Sequence, residues 1–161
     1  MRFVKTLSVL FIGAGLIGTA GIAAAQQKGP ADVIKARQEV MKGLGAAFKI
    51  VNDQLKTEAP DKAAIAEAVK KIADASKDVG TRFPAGTGTE AGVKTRAKAE
   101  IWSQGADFKA SADTFVAVSA KYLQVVSAGN MDAIKGEAKS MGDACGGCHK
   151  KFRAPEEPAA K

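Results

Sequence analysis

Apolar side chains recur along this chain at alternating steps of three and four, in four separate segments. That period marks helices with one buried face. The first segment runs from about Ala31 to Lys56, with the stripe Ile34, Arg37, Met41, Leu44, Phe48, Val51 and Leu55. The second begins at Asp61, after Pro60, with Ile65, Val69, Ile72, Ser76 and Val79, and Gly80 closes it. The third spans about Lys98 to Ala128, with Ile101, Gly105, Phe108, Ala112, Phe115, Ser119, Tyr122 and Val126. Gly129 suits its end and Asn130 the cap of the next helix. The fourth carries Ile134, Ala138, Met141, Cys145, Cys148 and Phe152, and Pro155 stops it. No useful run alternates with period two, so strands are not expected.

The connections set the topology. Short turns around Pro60 and around Gly129-Asn130 make antiparallel neighbours of the helices they join. The middle connection, Gly80 to about Lys94, is long and contains Phe83-Pro84 and Gly86-Thr87-Gly88-Thr89. The expected fold is all-α, an antiparallel up-down-up-down four-helix bundle over residues 26–154. Residues 155–161, made of Pro, Glu, Ala and Lys, read as a disordered tail.

Residues 1–25 read as a secretory signal peptide: Arg2 and Lys5, an apolar stretch from Leu7 to Ile22, then Ala23-Ala24-Ala25 before Gln26. Its removal leaves 22 basic and 17 acidic residues, a net charge of +5. The lysines are spread along the helices and interleaved with acids, a pattern of solvated faces rather than a nucleic-acid footprint. A mildly basic surface suits acidic protein partners. No other segment is apolar enough to span a bilayer, so no membrane association is expected after cleavage.

The chemistry is concentrated in Cys145-Gly146-Gly147-Cys148-His149. Two cysteines three apart with a histidine after the second form the attachment signature of a c-type haem. Each thiol adds to one porphyrin vinyl group, and the imidazole binds iron from the proximal side. On a helix the three residues stand at i, i+3 and i+4, on one face. Other readings are weaker. A closed zinc site wants four Cys or His ligands, and the chain has two cysteines and one histidine. A thioredoxin-like pair wants a preceding strand, and a disulfide across two residues closes too short a loop to stabilise much.

The motif lies on the core-facing stripe, so one covalent haem c is expected inside one end of the bundle. His149 is the only histidine, which excludes two-histidine ligation within the chain. Met1 leaves with the presequence. Met141 precedes His149 by eight residues, roughly 12 Å along the same helix, and Met131 is further away. Met41, on another helix, can face the iron from across the bundle. It is either the distal ligand or a side chain packing beside the haem. Arg37, one turn earlier, occupies a stripe position. It either meets a haem propionate or snorkels to solvent. Lys150, Lys151 and Arg153 form a basic cluster at a helix C-terminus, which favours cations. Trp102 and Tyr122 read as packing aromatics, and no catalytic residue is expected.

The mature chain from about Asp32 to Arg153 resembles the cytochromes c′, the class II c-type cytochromes. The likeness rests on the C-terminal Cys145-x-x-Cys148-His149-x-x-Phe152-Arg153, on Glu100-Ile101-Trp102, on the Gly-Thr-Gly-Thr loop and on Arg37-Gln38. It implies a four-helix bundle, a periplasmic location, and Arg37 and Gln38 near the propionates. Many family members are five-coordinate and bind small gases. A low-spin branch places an iron-binding methionine four residues after the position of Arg37, and Met41 stands there. The sequence is therefore most like that branch, and its expected function is one-electron transfer with periplasmic redox proteins, without enzymatic activity. The alternative is a five-coordinate protein that binds nitric oxide or carbon monoxide. Relatives often dimerise through the first two helices, so a homodimer is compatible with the resemblance.

Overall fold

The computed structural model describes residues 29–156. The presequence expected over residues 1–25 lies outside them, as do residues 26–28 and 157–161. Four long helices form: α1 (Pro30–Gln54), α2 (Lys62–Ser76), α4 (Gly105–Ala128) and α5 (Met131–Phe152), with a short α3 (Glu100–Ser103) before α4. Among the described residues there is no strand, only one isolated antiparallel bridge, Ala97 to Arg153. The expected four-helix bundle is the architecture found.

Local chemistry explains the ends. Pro30 opens α1, where its missing N–H costs nothing. Asp61 precedes α2 instead of starting it, and its Oδ1 accepts from Ala63 N and Ala64 N at 2.8 and 3.0 Å. The second helix stops at Ser76 rather than Gly80, which sits in a 3₁₀ turn, Val79–Arg82. Gly129 ends α4 with φ +76°, a left-handed cap that glycine adopts without Cβ strain. Asn130 Oδ1 then accepts from Ala133 N at 3.0 Å.

The third helix does not run unbroken from Lys98. Gln104, at φ −118° and ψ 48°, separates α3 from α4. Ile101 and Phe108 still share one buried cluster with Phe152, seven residues apart and therefore in phase. The break thus keeps the buried face while Trp102 Nε1 turns to the middle loop, donating to the carbonyls of Phe83 (3.0 Å) and Pro84 (3.1 Å).

In the bundle, α1 packs on α2, α2 on α4, and α4 on α5. Lys62, at the start of α2, donates to Gly129 O at 3.3 Å, so α2 and α4 run antiparallel. Lys151, at the end of α5, lies 2.6 Å from Asp107 at the start of α4, so those two are antiparallel as well. The main core joins Val51, Ile65, Val69, Ile72, Tyr122, Ile134 and Met141, each at most 1 % exposed. Burying each of these large side chains contributes about 1.5–3 kcal/mol. Just before the tail expected over residues 155–161, most of which lies outside the described residues, Ala154 N donates to Arg96 O at 2.8 Å.

Tyr122 is fully buried, and its hydroxyl has no protein partner among the described residues. Burial, then the charge of Glu137, pushes its phenol up to about 12. An unfolded phenol releases its proton near about 10. Between those values the folded state holds a proton that the unfolded state has lost, so stability falls as pH rises. The loss is expected to reach about 2 kcal/mol by pH 12. Urea midpoints measured from pH 9 to 12 should therefore fall less steeply for Tyr122→Phe than for the unchanged chain.

Candidate functional site

The two walls that face each other across the bundle are α1 and α5. A cavity of about 820 Å³ opens between them, lined from α1 by Met41, Leu44, Gly45 and Phe48, and from α5 by Met141, Ala144, Cys145, Cys148 and His149. Ile72 of α2 and Phe108, Ala112 and Phe115 of α4 supply its floor. At its closed end the helices approach: a Cβ on Gly142 would stand 3.9 Å from the Phe48 ring. The volume falls within the range of about 300–1,000 Å³ typical of ligand sites.

All six residues singled out in the sequence line this one cavity: Arg37, Gln38, Met41, Cys145, Cys148 and His149. Both cysteines are half-buried and free of any disulfide. Cys145 leans on the main core, while Cys148 leans on the second cluster of Ile101, Phe108 and Phe152. Burial pushes both thiols up, in Cys145 with help from Cys148. His149 is pushed down, first by burial and then by the positive Arg153 and Arg96, which keeps its imidazole neutral and its lone pair free. Two thiols and a neutral imidazole on one wall, with apolar side chains opposite, fit a covalently attached haem. They would hold it by both sulfurs and by the ring nitrogen.

Arg37 does not snorkel. It is 3 % exposed. Its terminal nitrogens donate to Thr87 Oγ1 (2.8 Å), Thr87 O (2.6 Å) and Thr95 Oγ1 (2.9 Å). Its guanidinium also lies 4.8 Å from the centre of the Phe83 ring, a cation–π contact. Burial lowers its pKa, with Glu90 opposing. Arg37 therefore clamps the Gly-Thr-Gly-Thr loop from inside. Gln38 Nε2 donates to Lys94 O at 2.9 Å, tying the same loop to the cavity rim.

Sequence reasoning missed the loop's own contribution. Phe83, Thr95, Arg96 and Ala97 all line the cavity. Phe83 meets Phe108 edge-on at 5.0 Å, and Phe108 meets Phe152 at 5.3 Å. Residues 96–98 pair with 152–154 through Lys98 N to Phe152 O (3.0 Å) and Ala154 N to Arg96 O (2.8 Å). The loop thereby fixes the end of α5 that carries the motif. The only hint in the sequence was the length of the loop, since irregular segments carry no period.

Comparison with known proteins bears on the same residues. The family model described as Cytochrome C′ matches residues 32–153. The cytochrome c′ of Rubrivivax gelatinosus is 36% identical over 125 residues, 77% of this chain and 95% of that protein. A crystal structure of cytochrome c′ from that organism superposes with a TM-score of 0.72, covering 78% of this chain and 98% of the other at 35% identity. A nitric oxide complex of a mutant of cytochrome c prime from Alcaligenes xylosoxidans gives a TM-score of 0.71 at 27% identity, covering 80% and 98%. Cytochrome c-556 of Rhodopseudomonas palustris is 30% identical over 158 residues, 93% of this chain and 99% of that protein.

Proposed function

Because this chain belongs to the cytochrome c′ family and so carries one covalent haem c, we propose that it is a periplasmic gas-binding protein, taking nitric oxide or carbon monoxide on the side of the cofactor walled by α1. When bound, the haem would supply an iron able to take a small diatomic ligand. Cys145 and Cys148 would fix the cofactor against α5, and His149 would offer it a neutral nitrogen. On the α1 wall, Leu44 and Phe48 are apolar and offer no ligand atom, with Arg37 and Gln38 engaged by the loop. Lys42, also on that wall, turns away to Glu39 at 2.7 Å. The observation that carries this reading is that apolar wall. The nitric oxide complex of the Alcaligenes relative supports it by analogy.

The electron-carrier reading, with Met41 as sixth ligand in the manner of the low-spin branch, comes second. It rests on Met41 lining the cavity from the wall opposite His149 and on the likeness to cytochrome c-556. The matching family model and most of the relatives bear the name cytochrome c′ instead.

Carbon monoxide titration of the ferrous holoprotein separates the two. In the proposed reading the unchanged protein binds the gas readily, and Met41→Ala alters affinity little. If the Met41 sulfur held the iron nine-tenths of the time, apparent affinity would be reduced about tenfold, and Met41→Ala would restore it. A tenfold gain in the variant, with a sulfur-to-ferric-iron band in the near infrared of the unchanged protein, would overturn the proposal.

A further inference from the structure

Beside the cavity, and sharing Arg96, His149 and Arg153 with its lining, lies a second, smaller feature. A surface depression of about 660 Å³ adjoins His149, and its charged lining is Arg96, Lys98, Lys150 and Arg153, with no carboxylate among the lining residues. The helix dipole accounts for cations in the last turn of α5. It does not account for Arg96 and Lys98, which arrive from the loop.

The loop cations are fixed in place. Arg96 Nε donates to Ala154 O at 2.8 Å and Lys98 Nζ to Lys151 O at 3.0 Å, over the backbone pairing of residues 96–98 with 152–154. Their acidic neighbours differ: Glu156 is 87% exposed at 3.4 Å from Arg96, whereas Glu100 pairs with Lys98 at 3.3 Å. Lys150 and Arg153 have no ion-pair partner among the described residues. Elsewhere on the helices many lysines are matched one turn away, as in Lys70–Asp74, Lys109–Asp113 and Lys139–Asp143. The unmatched positive charge of Lys150 and Arg153 thus stands beside two loop cations held by hydrogen bonds, at the end of the helix that bears the cofactor.

We infer that this depression is a docking face for an acidic protein partner, whose surface carboxylates enter between Lys150 and Arg153. A partner seated there lies against the helix end carrying Cys148 and His149, the side from which an electron donor for the ferrous form would act. The purpose of the face rests on the haem reading; the test does not.

Calorimetric titration of the holoprotein with deca-glutamate provides that test. Binding is expected, weakening as salt rises. The double variant Lys150→Glu/Arg153→Glu should lose at least about tenfold in affinity. The variant Lys70→Glu/Lys109→Glu, with the same change in net charge on other faces, should lose less than about threefold. Equal losses in the two variants, no binding at all, or inorganic phosphate binding as tightly as the peptide would each overturn the proposal. Calorimetry reads no property of the iron, so failure of the gas-binding reading would leave this result distinguishable.

Discussion

A chain carrying both Cys145→Ser and Cys148→Ser is expected to lose all haem staining on a denaturing gel, where the unchanged chain keeps it. The hydroxyl of serine does not add to a vinyl group under conditions where a thiol does, so no bond survives denaturation. Either single variant should keep one thioether and a fraction of the stain. The consequence for the fold is as large. The cavity walls include Met41, Leu44, Phe48, Phe115 and Met141. Without the cofactor these apolar side chains face an open cleft of roughly 820 Å³, and each large one left against water forgoes about 1.5–3 kcal/mol of burial. The double variant should therefore hold α1 less firmly against α5. Near-ultraviolet circular dichroism would register lost side-chain packing, while helices α2, α4 and α5, which pack directly on one another or through α4, keep much of the far-ultraviolet signal. A double variant with native near-ultraviolet dichroism would show that the walls do not depend on the cofactor.

The parts of this molecule that were legible in the sequence are those with a period or a fixed local chemistry. The 3,4 stripe named Ile34, Val51, Ile65, Val69, Ile72, Tyr122, Ile134 and Met141 as core, and all are buried. Gly129 and Asn130 marked a helix end and a cap through their own preferences. The motif placed two thiols and an imidazole on one helical face because the backbone fixes that spacing. Pairings between distant segments had no such signature. Thr87 and Thr95 look like any loop threonines until Arg37, at positions 50 and 58 residues earlier, donates to them. The bridge of Ala97 to Arg153 joins two extended residues with no alternation around them. The break at Gln104 answers to the loop carbonyls that Trp102 reaches, which lie 18 and 19 residues away. The stripe also stated where Arg37 points but not what it meets, since a buried guanidinium satisfies the same pattern with a propionate or with a loop.

Replacing Arg37 tests that last distinction. Arg37→Met keeps most of the side-chain volume and removes three hydrogen bonds, leaving Thr87 O without its donor, while Thr95 Oγ1 still accepts from Ala97 N at 3.2 Å and Thr87 Oγ1 still donates to Pro84 O at 2.7 Å. A buried acceptor so stranded costs about 1–3 kcal/mol, while removing a buried cation returns part of its desolvation cost. The net expected loss is about 1–3 kcal/mol in urea unfolding of the holoprotein. It should be local in origin: amide exchange should accelerate across residues 84–97, with little change in α2. Arg37→Lys should fall between, because an ammonium keeps the charge but cannot reach Thr87 and Thr95 together with a planar fork. A role confined to the haem propionates would give a different pattern. The reduction potential and its pH dependence would shift in Arg37→Met, while loop exchange stayed at the unchanged rate. The geometry favours the first outcome, since the donors of the two terminal nitrogens are already directed at the loop, and Phe83 lies against the guanidinium. Fast loop exchange in Arg37→Met would also identify Arg37 as the residue that holds residues 96–98 against the end of α5, because Thr95 immediately precedes that pairing.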